Sequence, residues 1–404
     1  MKLKHILLTL CVALLLLAAP AAAAGGAGTA ASPYIIQTPA ELQSMANDLS
    51  AYYVLGNNID MSGYAYTPVG TTAAPFFGSL DGQGYTISNL NINLPSTQYV
   101  GLFGVITAGT TIKNLKFADC TISGATNTAV LIGRCIGISG VSSQVTIDNI
   151  DMSDCTVTSS GNAVGNVAGG FATSTMGVVS NCDISSCTVT SSGNYVGNVA
   201  GFVSNGASNV QIIYCTVENC VAESTSGTYV GNVAGFVADG ASSVGMISQC
   251  EVISCHAKAP GTNVGNVAGY VAYSAGNGTI QETVVENCVA ESTSGNIVGN
   301  VAGYVANGAS SLGWVKNCHV ENCISTSGTI VGNVAGFVAN GAGNGNISDC
   351  TVENCTVKAR TSYAGGIAGC SYATGFASIE NCAVSNTTIL ASSYAGGICS
   401  TFTR

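Results

Sequence analysis

The block Val-Gly-Asn-Val-Ala-Gly recurs along this chain with its last glycine at Gly169, Gly201, Gly235, Gly269, Gly303 and Gly336. Related blocks extend the column upstream to Gly104 (VGLFG) and Gly137 (IGRCIG) and downstream to Gly369 (AGGIAG), and a partial copy ends at Ile398. Successive members lie 32 to 34 residues apart. Each copy runs from the glycine-rich block through a polar turn such as Ser204 to Asn209, a strand-like run such as Ile212 to Asn219, and then Cys220 to Gly227. That order supplies about three short β segments separated by turn chemistry. No copy has a hydrophobic core of its own, so copies must stack, and a strand-only repeat of nearly constant length stacks as a parallel β-helix. Charged residues make up 7% of the chain against 52 glycines, which argues against helical bundles and against charge-driven disorder.

Two cysteine columns keep the same period. One comprises Cys120, Cys155, Cys187, Cys220, Cys255, Cys288, Cys323 and Cys355, with Thr387 next in line. The other comprises Cys182, Cys215, Cys250, Cys318, Cys350 and Cys382, with Thr283 filling its gap. Alternation through Cys215 to Cys220 points Cys215 and Val217 inward, puts Asn219 at a corner and turns Cys220 inward again. Disulfides and a dry ladder of thiols both fit these columns. Strand spacing of about 4.8 Å lies within disulfide reach, and buried thiols pack as small hydrophobes. An aromatic column (Phe202, Phe236, Tyr270, Tyr304, Phe337) and an asparagine column (Asn166, Asn198, Asn232, Asn266, Asn300, Asn333) should stack as well. Both faces of VGNVAGFV are apolar, so alternation leaves the side of these columns open, and an Asn ladder can bond along the axis from inside or from a bend.

At the N-terminus, Lys2, Lys4, the apolar run Ile6 to Leu17 and the small residues Ala18 to Ala24 read as a signal peptide over 1–24, with an uncleaved anchor as the competing reading. Cleavage leaves 17 of the 18 cysteines, and eight basic against twenty acidic side chains, a net charge near −12. Nucleic acid is then an unfavourable partner, and no later run is apolar for long enough to span a bilayer. Thr38-Pro39-Ala40-Glu41 is a capping box with Pro at the first helical position, and Leu42, Met45, Ala46 and Leu49 fall on one helical face. Residues 33–98 therefore read as an N-terminal cap with the first coils, and residues 99–404 as β-helix repeats of about 33 residues.

Glycan cleavage would need paired carboxylates, or acids beside a proton-accepting base. The nearest constellation is Asp148, Asp151 and Asp154 with Arg134 one coil earlier, and a solvated turn explains the acids equally well. His256 and His319 stand alone. Cys-x4-Cys pairs repeated in almost every rung suit ladders better than a tetrahedral cage, so no metal, cofactor or catalytic residue is expected. The outward column Glu218, Glu286, Glu321 and Glu353 reads as solvated acid, interrupted at Ile253. A threonine array suited to ice breaks down where Thr156, Thr188 and Thr216 give way to Glu251, Val284 and His319.

Phe77-Gly78-Ser79-Leu80-Asp81-Gly82-Gln83-Gly84-Tyr85-Thr86-Ile87, preceded by Ile59-Asp60-Met61 and followed by Gly101-Leu102-Phe103-Gly104, resembles the opening of GLUG-motif surface proteins of prokaryotes. The central repeats depart from that pattern, with Asn-Val-Ala in place of the Gly-Leu-hydrophobic core. The resemblance implies an all-β, single-stranded right-handed parallel β-helix with a short N-terminal helical cap, the hand that parallel crossovers favour in general. It implies an exported, adhesin-like protein, and together with the missing catalytic constellation this leads to the expectation of a structural and adhesive module, secreted or at the cell surface, that contacts a glycan or a protein and is not an enzyme. A carbohydrate-active enzyme, a polysaccharide lyase or hydrolase, is the alternative. After Ile398 nothing resembles a covering helix, a charged strand or a proline. The last rung is therefore expected to dock on a partner or a second copy, unless the sequence is a fragment of a longer rod.

Overall fold

A computed structural model describes residues 25–403 apart from 139, 141, 142, 373–375 and 401. The signal-peptide segment 1–24 lies outside the described residues. Thr38 starts the helix Pro39–Gln43 through the capping box: Glu41 N–H donates to Thr38 Oγ1 at 3.2 Å, while the N–H groups of Gln37 and Thr38 donate to Glu41 Oε2 at 2.8 and 3.0 Å. The chain then tightens into a 3-10 turn, Ser44–Asn47. Leu42 and Met45 are buried, Leu49 packs partly against the core and Ala46 faces solvent. The expected apolar face thus loses Ala46, because the tighter turn advances each residue by a larger angle than an α-helix does.

Beyond this cap every strand pairing is parallel. The central coil Ala200–Asn205, Asn209–Ile213, Thr216–Glu218 and Val221–Ser224 is matched by Ala234–Asp239, Val244–Ser248, Glu251–Ile253 and His256–Ala259 in the next coil. Phe202 stands opposite Phe236, Ile212 opposite Ile247, Val217 opposite Val252 and Ala222 opposite Ala257. Two sheets are ten strands deep, and a 21-stranded sheet collects the two strand sets that follow one another around each coil. Later coils add short strands such as Ile297–Gly299 and Ile330–Gly332. The protein is a right-handed parallel β-helix of about nine turns, about 43 Å long at ~4.8 Å per rung.

Two corners of each coil are made by residues with left-handed backbone immediately before the column cysteines. Tyr214 (φ 56°) and Asn219 (φ 53°) serve one coil, and Gln249 (φ 54°) and Ser254 (φ 53°) the next. Asn and Asp tolerate this region, whereas Tyr and Gln enter it at a cost of roughly 1–2 kcal/mol that the flanking ladders must offset. The column glycine answers a different demand. A Cβ on Gly235 would sit 2.5 Å from the amide nitrogen of Val196 in the preceding coil, so only a bare backbone fits where the strand passes the adjacent loop.

The register corrects one assignment. Ile132 pairs with Phe103 on one side and Ala168 on the other, which puts Gly133, not Gly137, in the glycine column. The coil steps are then 29 and 36 residues, from Gly104 to Gly133 and from Gly133 to Gly169. A change of coil length is absorbed in the connections, which need not preserve the spacing that ladder pairing imposes on the strands.

Candidate functional site

The lumen is one continuous apolar cluster into which both cysteine columns project. Thirteen of the fourteen column cysteines are buried, Cys382 in the last full coil is half-buried, and none is bridged. Each sulfur lies near the carbonyl two residues upstream, as for Cys220 to Glu218 O (3.1 Å) and Cys215 to Ile213 O (3.4 Å). In the first column the sulfur also accepts the backbone N–H of the cysteine one coil earlier: Cys187 N–H to Cys220 Sγ is 3.3 Å and Cys220 N–H to Cys255 Sγ is 3.4 Å. The sulfurs of Cys155 and Cys220, together with burial, hold the Cys187 thiol far above its usual range. Thr283 and Thr387 reproduce the carbonyl contact with a hydroxyl, each at 2.9 Å. The environment is therefore less purely apolar than alternation suggested: a hydroxyl at these stations has an acceptor waiting.

The asparagine column lies inside. All six side chains are fully buried, and each Nδ2 donates to the Oδ1 of the next coil, from Asn166 to Asn198 (2.9 Å) through to Asn300 to Asn333 (3.0 Å). The two ends of the ladder, Asn166 Oδ1 and Asn333 Nδ2, have no partner. The sequence explains its length, since Val130 precedes Asn166 at this station and Gly366 follows Asn333.

The aromatic column lies outside the lumen as a second cluster. It begins where a Cβ on Gly170 would meet the Phe202 ring at 2.5 Å, and its rings stack at 5.0 Å (Phe236 with Tyr270) and 4.9 Å (Tyr270 with Tyr304, Tyr304 with Phe337). An outer row covers it. Tyr195 and Tyr229 stack on each other at 5.3 Å and meet Phe236 edge-on at 5.9 and 5.5 Å. This outer row went unnoticed in the sequence, although Tyr195 and Tyr229 both stand just before a VGNVAG block.

The acidic constellation does not converge with Arg134. Arg134 sits in the sheet that carries the aromatic column, with its guanidinium 5.6 Å from the Tyr99 ring centre. Asp148 and Asp151 sit in the 21-stranded sheet. Asp148 accepts from Ser180 Oγ (2.6 Å) and Asn181 Nδ2 (2.7 Å), and Asp154 forms a left-handed corner. Asp151 instead pairs with Lys116 at 2.8 Å and has Asp183 beside it on the next rung, in a shallow groove floored by Phe117 and Met152. His256 lies 3.7 Å from Glu291, and burial lowers its pKa against that carboxylate's pull. His319 bonds Thr351 Oγ1 at 2.7 Å and approaches Glu321 at 3.6 Å, within the outward Glu286, Glu321, Glu353 row. Among the described residues no group of three or more His, Cys, Asp or Glu side chains is placed to hold a metal ion, and no helix is long and apolar enough to cross a membrane.

No family model matches the sequence, so of the GLUG resemblance the part shown is the parallel β-solenoid. A stretch of 127 residues is 35% identical to Halomucin of Haloquadratum walsbyi, covering 27% of this chain and 1% of that protein. Another of 135 residues is 32% identical to a proposed Gly-rich membrane protein of Evansella cellulosilytica, covering 31% and 15%. The chain thus spans a small fraction of both relatives' length. Among solved structures, it is similar to a proposed immunoglobulin A1 protease from Bacteroides ovatus at a TM-score of 0.41 and 20% identity, over 76% of this chain and 78% of that one. It is also similar to an endo-xylogalacturonan hydrolase from Aspergillus tubingensis at a TM-score of 0.25 and 11% identity, over 83% and 98%. The expectation that the chain is not an enzyme is corrected on this point. A parallel β-helix is compatible with an enzyme, and a fold by itself excludes no chemistry.

Proposed function

We propose that this chain is an exported contact rod: a β-helix held rigid by its ladders, secreted or at the cell surface, that adheres to a glycan or a protein through side chains repeated on successive rungs. The observation that carries the reading is the set of outward side chains held in register over consecutive coils, such as Glu286, Glu321 and Glu353 and the Tyr195–Tyr229 pair, backed by a continuous core. A rigid scaffold that repeats the same group at a fixed interval presents many weak contacts at once, so binding to a repetitive partner gains through multivalency. The names of the two sequence relatives, Halomucin and a Gly-rich membrane protein, are in keeping with a location at the cell exterior. The test is adhesion of the purified chain, displayed on beads, to cell envelopes and to an immobilised glycan panel. Saturable retention supports the reading, and absence of retention on every surface refutes it.

A second reading draws on the groove at Lys116, Asp151 and Asp183, where two carboxylates share one face on adjacent rungs beside a basic group. Such a pair has the residue types that glycoside cleavage uses. Release of reducing ends from a polysaccharide, lost in Asp151→Asn, would establish it.

A further inference from the structure

The outer tyrosines do more than cover the aromatic stack. Tyr229 and Tyr273 each meet the Tyr270 ring edge-on, at 5.7 and 5.8 Å, and Tyr195 extends the row one coil earlier through its stack on Tyr229. Asp239 stands directly beside Tyr273 across the rung, on the coil of Phe236. Its carboxylate acts electrostatically on the phenols of Tyr195 and Tyr229, and burial raises its own pKa. No lysine or arginine among the described residues pairs with it. The outer row then steps down: Asn263 occupies the station after Tyr229, and Ile297 the one after that. Tyr273 remains 40% exposed, and the side chains of Tyr195, Tyr229 and Asp239 are half-buried.

From this cradle we infer a binding site for a neutral glycan chain, with the exposed Tyr273 supplying its ring, the mutually stacked Tyr195 and Tyr229 supplying ring edges and hydroxyls, and Asp239 accepting from vicinal sugar hydroxyls. The inference rests on the contact-rod reading and gives its partner a chemical class. The chemistry selects the occupant. Tyrosine offers an apolar body with a polar tip, which suits the C–H face and hydroxyl rim of a pyranose. A carboxylate that accepts from the Gly240 N–H but has no cationic partner, set among phenols, is rich in acceptors and calls for a ligand rich in donors. The acidic chain, net −10, disfavours uronate polymers, and a second copy would bring one acidic surface against another. Repetition also matches, because rungs about 4.8 Å apart place Tyr195 and Tyr229 at an interval close to one sugar unit of an extended glycan.

Affinity electrophoresis of the chain released by an exporting host, in gels containing a soluble β-glucan, a galactomannan or polygalacturonate, tests the site. Retardation is expected in at least one neutral polysaccharide and not in polygalacturonate. Tyr273→Ala and Asp239→Asn should each weaken it by tenfold or more with the circular dichroism spectrum unchanged. Tyr214→Ala, at an exposed corner tyrosine between two strands of the 21-stranded sheet, should leave it intact. Retardation that survives Tyr273→Ala and Asp239→Asn overturns the site, as does retardation in polygalacturonate alone or in no gel. Bead adhesion separates the two failures: adhesion that persists when the cradle fails leaves the contact rod standing, and loss of both removes the rod as well.

Discussion

Replacing Asn232 by leucine interrupts the amide ladder at its middle. In the native chain Asn232 accepts from Asn198 Nδ2 and donates to Asn266 Oδ1, both at 2.9 Å, and all three side chains are fully buried. The leucine orphans one donor on Asn198 and one acceptor on Asn266. A buried polar atom left without its partner costs about 1–3 kcal/mol, so two cost about 2–6 kcal/mol, offset by roughly 1–2 kcal/mol for the added apolar burial. The same substitution at Asn333 provides the control. Asn333 Nδ2 already lacks a partner, and Asn300 Nδ2, which would lose Asn333 Oδ1, keeps Ser325 Oγ at 2.8 Å. Asn333→Leu should therefore cost less than about 1 kcal/mol, while Asn232→Leu costs about 3 kcal/mol. Solenoids can unfold in segments, so urea midpoints should be read alongside amide exchange in the coils flanking each substitution. Exchange should accelerate around residues 198 and 266 in the first variant and change little in the second. Equal midpoints for the two variants, or no measurable loss in Asn232→Leu, would refute the claim that the bonded ladder, not mere occupancy of the station, stabilises the lumen.

Cys220→Ser should cost about 1 kcal/mol or less in urea denaturation, since Glu218 O is in place to accept the hydroxyl; a loss of several kcal/mol would show that the station demands an apolar group. The buried column thiols should resist maleimide in the folded protein and react fully in denaturant. Gly235→Ala should destabilise by about 1–3 kcal/mol because its Cβ meets the Val196 amide, whereas Gly397→Ala, whose Cβ meets nothing within 4 Å, should be silent by thermal melting. Burial raises the folded-state pKa of Asp239, so the stability linked to this group is complete below the ordinary carboxylate range and lost as pH rises through the raised value. Asp239→Asn should accordingly raise the melting temperature at pH 7 relative to the native chain more than it does at pH 3, and an equal effect at both would contradict the burial argument.

How much was legible follows from which features the ladder itself imposes. Cysteine stations and corners were readable because strand pairing forces a near-constant coil length, and Asn219 before Cys220 marks a left-handed residue before an inward one. Gly137 was misplaced because IGRCIG offers two glycines and the neighbouring steps are unequal, which spacing alone cannot resolve. The aromatic side stayed open because the strand at Phe202 is covered on both faces, by the lumen and by the outer tyrosine row, so neither face shows the polar alternation of a solvated sheet. The tyrosine cradle escaped notice for a related reason: Tyr195, Tyr229, Asp239 and Tyr273 belong to different segments, and only the register brings them together.

The stations of the cysteine columns also bear on why sulfur is there. Following register toward the N-terminus, the first column continues into Leu90, and the second into Ile150 and Leu115, all fully buried. Toward the C-terminus the first column passes to Thr387, and within the second Thr283 stands between Cys250 and Cys318. A branched aliphatic group, a thiol and a β-branched hydroxyl thus occupy one geometric position in a single molecule. They share a compact side chain turned inward after a left-handed corner. The thiol and the hydroxyl share in addition a contact with the carbonyl two residues upstream, at 2.9–3.4 Å for Cys215, Cys220, Thr283 and Thr387. A disulfide staple would require the same atom type on paired rungs, and Thr283 leaves Cys250 and Cys318 two rungs apart, beyond disulfide reach. Inward burial accounts for the aliphatic occupants of these stations, and a weak bond to a fixed carbonyl adds to it for the thiols and hydroxyls, without any link between the sulfurs.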